Sequence, residues 1–253
     1  MPIEIDLSDR VALVTGGTRG VGRGVVDRLL AAGATVVTCG RKAPTERPLP
    51  DGVDFIAADV REAEQVHALV TSARDRHGRL DIAVNNAGGS PAAPAADASP
   101  RFSEKIIALN LTAALHVAQQ ANVVMQEQAG GVIVNVSSMS GMRPSPGTAA
   151  YGAAKAGLIN LTETLAMEWA PKVRVNCVSA GIIRTEAFDD WYGGPDGAEA
   201  VAATVPLGRV AEPADVGNAI AWLVSDLASF VSGANLVVNG GGEKLAFSEH
   251  MQG

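Results

Sequence analysis

Aromatic residues are scarce in this chain: two Tyr, three Trp and five Phe among 253 residues, or 4%. Cysteine is scarcer still, with only Cys39 and Cys177, each in an apolar run and far apart in sequence. That pattern excludes a disulfide-stapled scaffold, and two buried thiols in a reducing compartment are the ordinary reading. His67, His77, His116 and His250 stand at no metal-ligand spacing from one another or from cysteine, so no metal site is expected. His116 is read as a surface or subunit-contact residue. No stretch approaches the ~18 apolar residues of a membrane span. The start, Met1 to Asp6, has no charged-then-apolar leader pattern. Basic charge is the minority: 20 Lys and Arg against 27 Asp and Glu leave −7, which argues against nucleic acid or an anionic membrane as partner. These absences describe a soluble, cytoplasmic chain.

What is present is an alternation of short apolar runs and helical patterns. Strands are predicted at Val11–Thr15, Thr35–Cys39, Val53–Ala57, Ile82–Asn85, Val132–Val136, Arg174–Val178 and Leu236–Asn239. Most are rich in Val and Ile without clean alternation, as strands buried on both faces of a parallel sheet are. Helices are predicted between them, among them Glu62–Arg76, Pro100–Gln128 and Tyr151–Glu168, the last closed by Pro171. The β-α-β repetition implies an α/β fold, a Rossmann-type doubly wound parallel sheet of about seven strands in one domain over residues 1–253. Its ligand would lie at the carboxyl ends of the strands.

Two motifs carry chemistry. Thr15 to Gly22 reads T-G-x-x-x-G-x-G between the strand Val11–Thr15 and a helical stripe of Val21, Val25, Leu29 and Leu30. A strand, a glycine-rich turn and a helix start make a phosphate site, because the bare backbone and the helix N-terminus both attract an anion. In the second motif Tyr151 and Lys155 lie one helical turn apart, with Ser138 upstream. An ammonium beside a phenol favours the phenolate and lowers its pKa, so Tyr151 becomes a candidate acid-base group.

Together these motifs resemble the short-chain dehydrogenase/reductase family, over nearly the whole chain and in the family's order. Asp59-Val60 matches the family's acidic pair, Asn85-Asn86-Ala87-Gly88 the segment after the fourth strand, and Asn110 the helix asparagine. Val134 to Ser138 leads to the serine, and Asn176 to Thr185 and Val238 to Gly241 match later segments. The resemblance implies an oxidoreductase that moves the pro-S hydride between a nicotinamide cofactor and a carbonyl or secondary alcohol. It implies Tyr151 as proton donor, Ser138 on the substrate oxygen, Lys155 on the tyrosine and the nicotinamide ribose, and Asn110 holding a relay water. The cofactor would meet Gly16, Thr18, Arg19, Gly20, Val21, Arg41, Asp59, Val60, Asn86, Ala87, Gly88, Tyr151, Lys155, Gly181, Ile183 and Thr185. Two departures stand out: Ala180-Gly181 where the family has Pro-Gly, and Asn239 where many relatives have Asp. Loss of the proline is expected to alter the stability of the loop Gly181 to Thr185.

The second strand ends Cys39-Gly40-Arg41-Lys42, with no acid before Glu46 to bind a ribose 2′-hydroxyl. Arg41 and Arg19 are placed to hold a 2′-phosphate, so NADP(H) is expected over NAD(H), against the plainer reading of two solvated arginines. Residues 186–208 read as an irregular segment with Phe188, Trp191 and Tyr192 and a Gly193-Gly194-Pro195 turn. They make either an apolar lid over the substrate or a subunit contact. Small and apolar residues at Ala113, Ala114, Ala118, Ala121, Leu158, Leu161 and Leu165 suggest helix contacts between subunits, as in relatives, and a homotetramer or else a dimer. The motif set most resembles reductases of 3-oxoacyl thioesters on acyl-carrier protein or coenzyme A, for which Arg101, Lys105 and Arg143 are candidate docking bases. The alternatives are a steroid, cyclic-ketone or sugar-derived substrate, and a non-catalytic NADP-binding regulator.

Overall fold

The structure is a computed structural model and describes residues 4–45 and 47–244. Met1 to Ile3, Glu46 and His250 lie outside the described residues. The strands β1 Val11–Thr15, β2 Thr35–Gly40, β3 Val53–Ala57, β4 Ile82–Asn85, β5 Gly131–Ser138, β6 Val173–Ala180 and β7 Asn235–Val238 form one sheet. Its order is β3-β2-β1-β4-β5-β6-β7 and every pairing is parallel. Parallel strands need long crossovers, and helices α1 Gly20–Ala31, α2 Ala63–His77, α4 Ala113–Glu127, α5 Ala149–Trp169 and α8 Pro213–Val224 help to supply them. One apolar core lies under α2, α4 and α5, and a second under α1 and α8. All of β1 and β4 are buried, which explains their unbroken apolar runs.

The chain order reverses between β1 and β4, and the crevice of a doubly wound sheet opens at such a point. Here the two strand ends are bolted together. Asn86 Nδ2 donates to the carbonyls of Thr15 (2.9 Å) and Gly16 (3.2 Å), and Thr15 Oγ1 accepts from the N–H groups of Asn86 and Ala87, both at 3.0 Å. Gly22 has no room for a side chain, since a Cβ there would stand 2.3 Å from Asn86 Nδ2 and from the Gly16 carbonyl.

Four expectations need correction. The helix expected over Pro100–Gln128 is broken into α3 Pro100–Ile107 and α4 by a π-helical turn at Ala108–Thr112. From that turn the Asn110 side chain donates back to the carbonyl of Ile106 in α3 (2.9 Å). The segment expected to be irregular from Glu186 to Gly208 contains α6 Phe188–Tyr192 and α7 Gly194–Thr204. Ala113, Ala114, Ala118, Ala121, Leu158 and Leu165 are buried within this one chain, and Leu161 packs on the core. They fill the space between helices and sheet, so they say nothing of a subunit contact. Val123 (54% exposed) and Met167 (83%) are the residues of α4 and α5 that present large apolar groups to solvent. His116 is only partly at the surface: it is half-buried, with Nδ1 enclosed and without a hydrogen-bond partner among the described residues.

Cys39 in β2 and Cys177 in β6 are free and buried. Burial pushes each thiol up to about 11, so neither offers a thiolate near neutral pH. Neither should react with a thiol reagent in the folded protein and both should react after denaturation; a thiol titrating rapidly under native conditions would contradict the packing of that strand.

Candidate active site

Ser138 is the last residue of β5, and its Oγ accepts the Ser140 N–H (3.2 Å), capping the short turn Met139–Gly141. The strand and α5 are locked together where Ser137 Oγ donates to the Lys155 carbonyl (2.9 Å). That register turns Tyr151 and Lys155 toward the strand ends. Ser138 is close enough to the Tyr151 phenol to favour its ionised form. Lys155 is 4% exposed; its ammonium donates to the Val136 carbonyl (2.8 Å) and stands 5.6 Å over the centre of the Tyr151 ring.

The electrostatics differ from the expectation that Lys155 lowers Tyr151. Burial raises the Tyr151 phenol and outweighs the influence of Ser138, which acts in the other direction. The ammonium lies over the ring and donates to a backbone carbonyl. Burial also depresses Lys155 itself, to about 8. Both groups are therefore biased toward their neutral forms, the response of ionisable groups removed from water.

Asn110 joins them from the π-helical turn. It is 1% exposed, donates to the Gly89 carbonyl (2.9 Å) and accepts the Gly89 N–H (2.8 Å). Gly88 passes between Asn110 and Lys155. A Cβ there would lie 2.6 Å from Asn110 Oδ1 and 3.3 Å from Lys155 Nζ, so a bare backbone is what lets the two side chains approach. All four residues singled out in the sequence thus gather at the carboxyl ends of β4 and β5.

The glycine turn lies beside them. Gly17 N–H donates to Thr38 Oγ1 (2.9 Å), tying the turn to β2. Thr18 lies close to Gly40, and Arg19 is the exposed residue preceding α1. Gly20 and Val21 open α1. Arg41 is exposed just beyond β2, whereas Val60 is buried. Asp59 is engaged by Arg61 (2.5 Å), whose hydrogen bond holds the carboxyl below its usual range; the Arg41 charge adds to this. Asn86 and Ala87 are held by Thr15 as described. Gly181 donates to the Val238 carbonyl (2.9 Å), Ile183 bridges to Ala211, and the Thr185 carbonyl accepts from Phe188 N–H (2.9 Å). Ala180 stays in register with Ser138 and Val238, so β6 runs unbroken to the point where the family carries proline. Asn239 packs against Gly181 and donates to Met139 Sδ (3.3 Å).

Two features are absent from the sequence reading. Glu186 reaches back to the start of α1, where its carboxylate accepts the Gly20 N–H at 3.0 Å through Oε2. A carboxylate seated there is the kind of group that an unpaired helix N-terminus attracts. An acid after Thr185 carries no local signal of so distant a contact. The second is the pairing of Arg143 with Glu243, which removes one of the bases offered for acyl-carrier docking. In residues 186–208, Phe188 is buried against Ala198 and Val210, while Trp191 and Tyr192 face outward, 52% and 39% exposed.

Comparison with known proteins agrees with this geometry. The family profile described as enoyl-(acyl carrier protein) reductase matches residues 16–243. The chain is 37% identical over 247 residues to a 3alpha-hydroxysteroid dehydrogenase of Mediterraneibacter gnavus, covering 92% of this chain and 97% of that protein. It is 35% identical over 255 residues to a tropinone reductase homolog of Arabidopsis thaliana, covering 97% of each. A solved structure from Sinorhizobium meliloti 1021 superposes with a TM-score of 0.86 at 33% identity, over 94% of this chain and 98% of that one. The chain belongs to the short-chain dehydrogenase/reductase family of oxidoreductases.

Proposed function

We propose that this oxidoreductase is NADP(H)-dependent and interconverts a ketone and a secondary alcohol on a bulky apolar skeleton, of the hydroxysteroid or cyclic-ketone class. The observation that carries the reading is the convergence of Asn110, Ser138, Tyr151 and Lys155 beside the glycine turn. Gly16, Thr18, Arg19, Gly20 and Val21 would hold the cofactor phosphates, Asp59 and Val60 the adenine, and Asn86, Ala87 and Gly88 the neighbouring ribose. Gly181, Ile183 and Thr185 would hold the nicotinamide, which when bound supplies the hydride. Tyr151 carries its proton at neutral pH, a state that burial favours further, and gives that proton to the substrate oxygen in the reduction direction. Ser138, at the end of β5 beside the phenol, donates to the same oxygen as negative charge develops. Lys155 reaches the ribose hydroxyls, and Asn110 holds a water on the path from Lys155 to solvent.

For the substrate, Met142 (47% exposed) and Trp191 offer apolar surface, and residues 186–208 serve as its lid. Two relatives bear the names 3alpha- and 3beta-hydroxysteroid dehydrogenase. A second reading, reduction of 3-oxoacyl thioesters, is favoured by the exposed Arg101 and Lys105 on α3, where an acidic acyl-carrier protein would dock. Self-association as a homotetramer or a dimer belongs to the same reading and rests on the exposed Val123 and Met167.

NADPH oxidation measured with a panel of steroid and cyclic ketones, beside acetoacetyl-coenzyme A, separates the two readings. Turnover of ring ketones is expected; turnover of the thioester alone would transfer the assignment to the second reading. Tyr151→Phe should keep NADPH binding and lose about 10²–10⁴-fold in turnover, the usual contribution of an acid-base group. Full activity in that variant would remove Tyr151 from the proton path.

Arg41→Asp should reverse the cofactor preference. A hydrogen-bonded charge contributes about 1.5–3 kcal/mol, so NADPH affinity should fall by roughly 10- to 100-fold, with NADH affinity kept or improved. Equal loss for both nucleotides would place Arg41 outside the 2′-phosphate site.

Lys155 gives a pH signature. Its folded value, about 8, lies below the ordinary 10.5, so between those values the unfolded chain binds the proton more tightly. Stability from this residue therefore rises with pH across that window, and the penalty for burying the charge is complete below it. Relative to Lys155→Met, the parent should gain melting temperature as pH rises from about 8 to 10.5. Parallel curves for the two proteins would mean that the ammonium is not desolvated.

A further inference from the structure

Glu186 follows Thr185 and precedes the helices α6 and α7. Its carboxylate accepts the backbone N–H of Gly20, the first residue of α1, at 3.0 and 3.3 Å through its two oxygens. The first N–H groups of a helix have no acceptor within it, and the helix dipole makes that end positive. No side chain caps α1 locally, since Arg19, at the capping position, makes no such bond. Arg47 adds a second positive group, 3.9 Å from the Glu186 carboxylate. Arg23 and Arg184 line the same cavity of about 450 Å³, each paired there with an acid, Asp27 and Glu212. The chain thus supplies its own anion, from more than 160 residues away, to the helix end that the glycine turn prepares.

We propose that Glu186 is a tethered competitor of the cofactor pyrophosphate. A carboxylate and a phosphate cannot share one N–H group at contact distance without strong repulsion. Cofactor loading therefore displaces Glu186, and the displacement frees the Phe188–Thr204 segment from Gly20. That segment has little else to tie it to α1: Phe188 packs with Ala198 and Val210 in a small cluster separate from both main cores. Occupancy of the cofactor site and the position of the segment over the substrate are coupled through one side chain. The coupling rests on the reading that the Gly16–Gly22 turn holds a nicotinamide cofactor.

Calorimetric titration of NADPH and of NADH into the parent, Glu186→Gln and Glu186→Ala, at low and high salt, tests this. Glu186→Ala should bind both nucleotides about three- to tenfold more tightly, because a competitor that leaves the site free only part of the time weakens binding by that fraction. Glu186→Gln, which keeps an acceptor without the charge, should fall between. The gain should persist at high salt, which screens a remote repulsion but leaves direct occupancy of the N–H group intact. Amide exchange across residues 186–204 should be faster in Glu186→Ala than in the parent before any nucleotide is added. Unchanged or weaker nucleotide binding in Glu186→Ala, a gain abolished by salt, or unchanged exchange would overturn the competition. A parent that binds neither nucleotide would overturn the cofactor reading and the competition with it.

Discussion

The arrangement depends on one buried cation. Lys155 is nearly inaccessible, and the group that meets its ammonium is the Val136 carbonyl. Burying a charge without a carboxylate is unfavourable, and the depressed pKa of Lys155 is the measure of it. The rest of the site is organised around tolerating that position. Ser137 fixes the helix backbone on β5, the bare Gly88 lets the Asn110 segment close over the ammonium, and the π-helical turn brings the Asn110 side chain to the same point. A well-packed sheet with two apolar cores supplies the stability that such a strained electrostatic arrangement draws on. This is the usual relation between a functional centre and the fold that carries it.

Most of the sheet is legible in the sequence because burial on both faces leaves a plain mark. Val11–Thr15, Val53–Ala57 and Ile82–Asn85 are bounded as their apolar runs suggest. β5 and β6 extend beyond theirs, through Ser137-Ser138 and Ser179-Ala180. Those residues have no strong strand preference and are extended because each pairs with its neighbour in register. The serine that ends β5 therefore owes its position to tertiary pairing, though its motif is local. The π-helical turn could not be read from periodicity, since a single inserted residue hardly disturbs an apolar stripe that continues on either side. Its cause is the bonding of Asn110 to Ile106 and Gly89, which needs the folded strand end of β4 in place.

Electrostatics were the least legible part. Spacing correctly brings Tyr151 and Lys155 to one helix face, yet spacing carries no information on where the ammonium points or how dry its surroundings are. Proximity predicts a lowered phenol; burial, visible only in the fold, produces a raised one. The same limit applies to ion pairs. Arg143 reads as a free base in the sequence, whereas Glu243 meets it from 100 residues downstream.

The segment after Thr185 shows how a few residues divide structural tasks in a chain poor in aromatics. Phe188 is 3% exposed and anchors a cluster with Ala198 and Val210, while the Arg184 guanidinium lies over its ring, 5.3 Å from the centre. Tyr192 stacks on the same ring at 4.7 Å between centres, and Trp191, beside it, faces solvent. A short apolar cluster of its own gives this segment internal shape without merging it into the sheet's cores. The two glycines at the α6–α7 corner, with φ of 78° and 75°, allow the compact turn that brings α7 back over Phe188. Glycine-rich composition there marks a tight corner between helices, and the irregular loop that it suggests in the sequence is the opposite of what the packing requires.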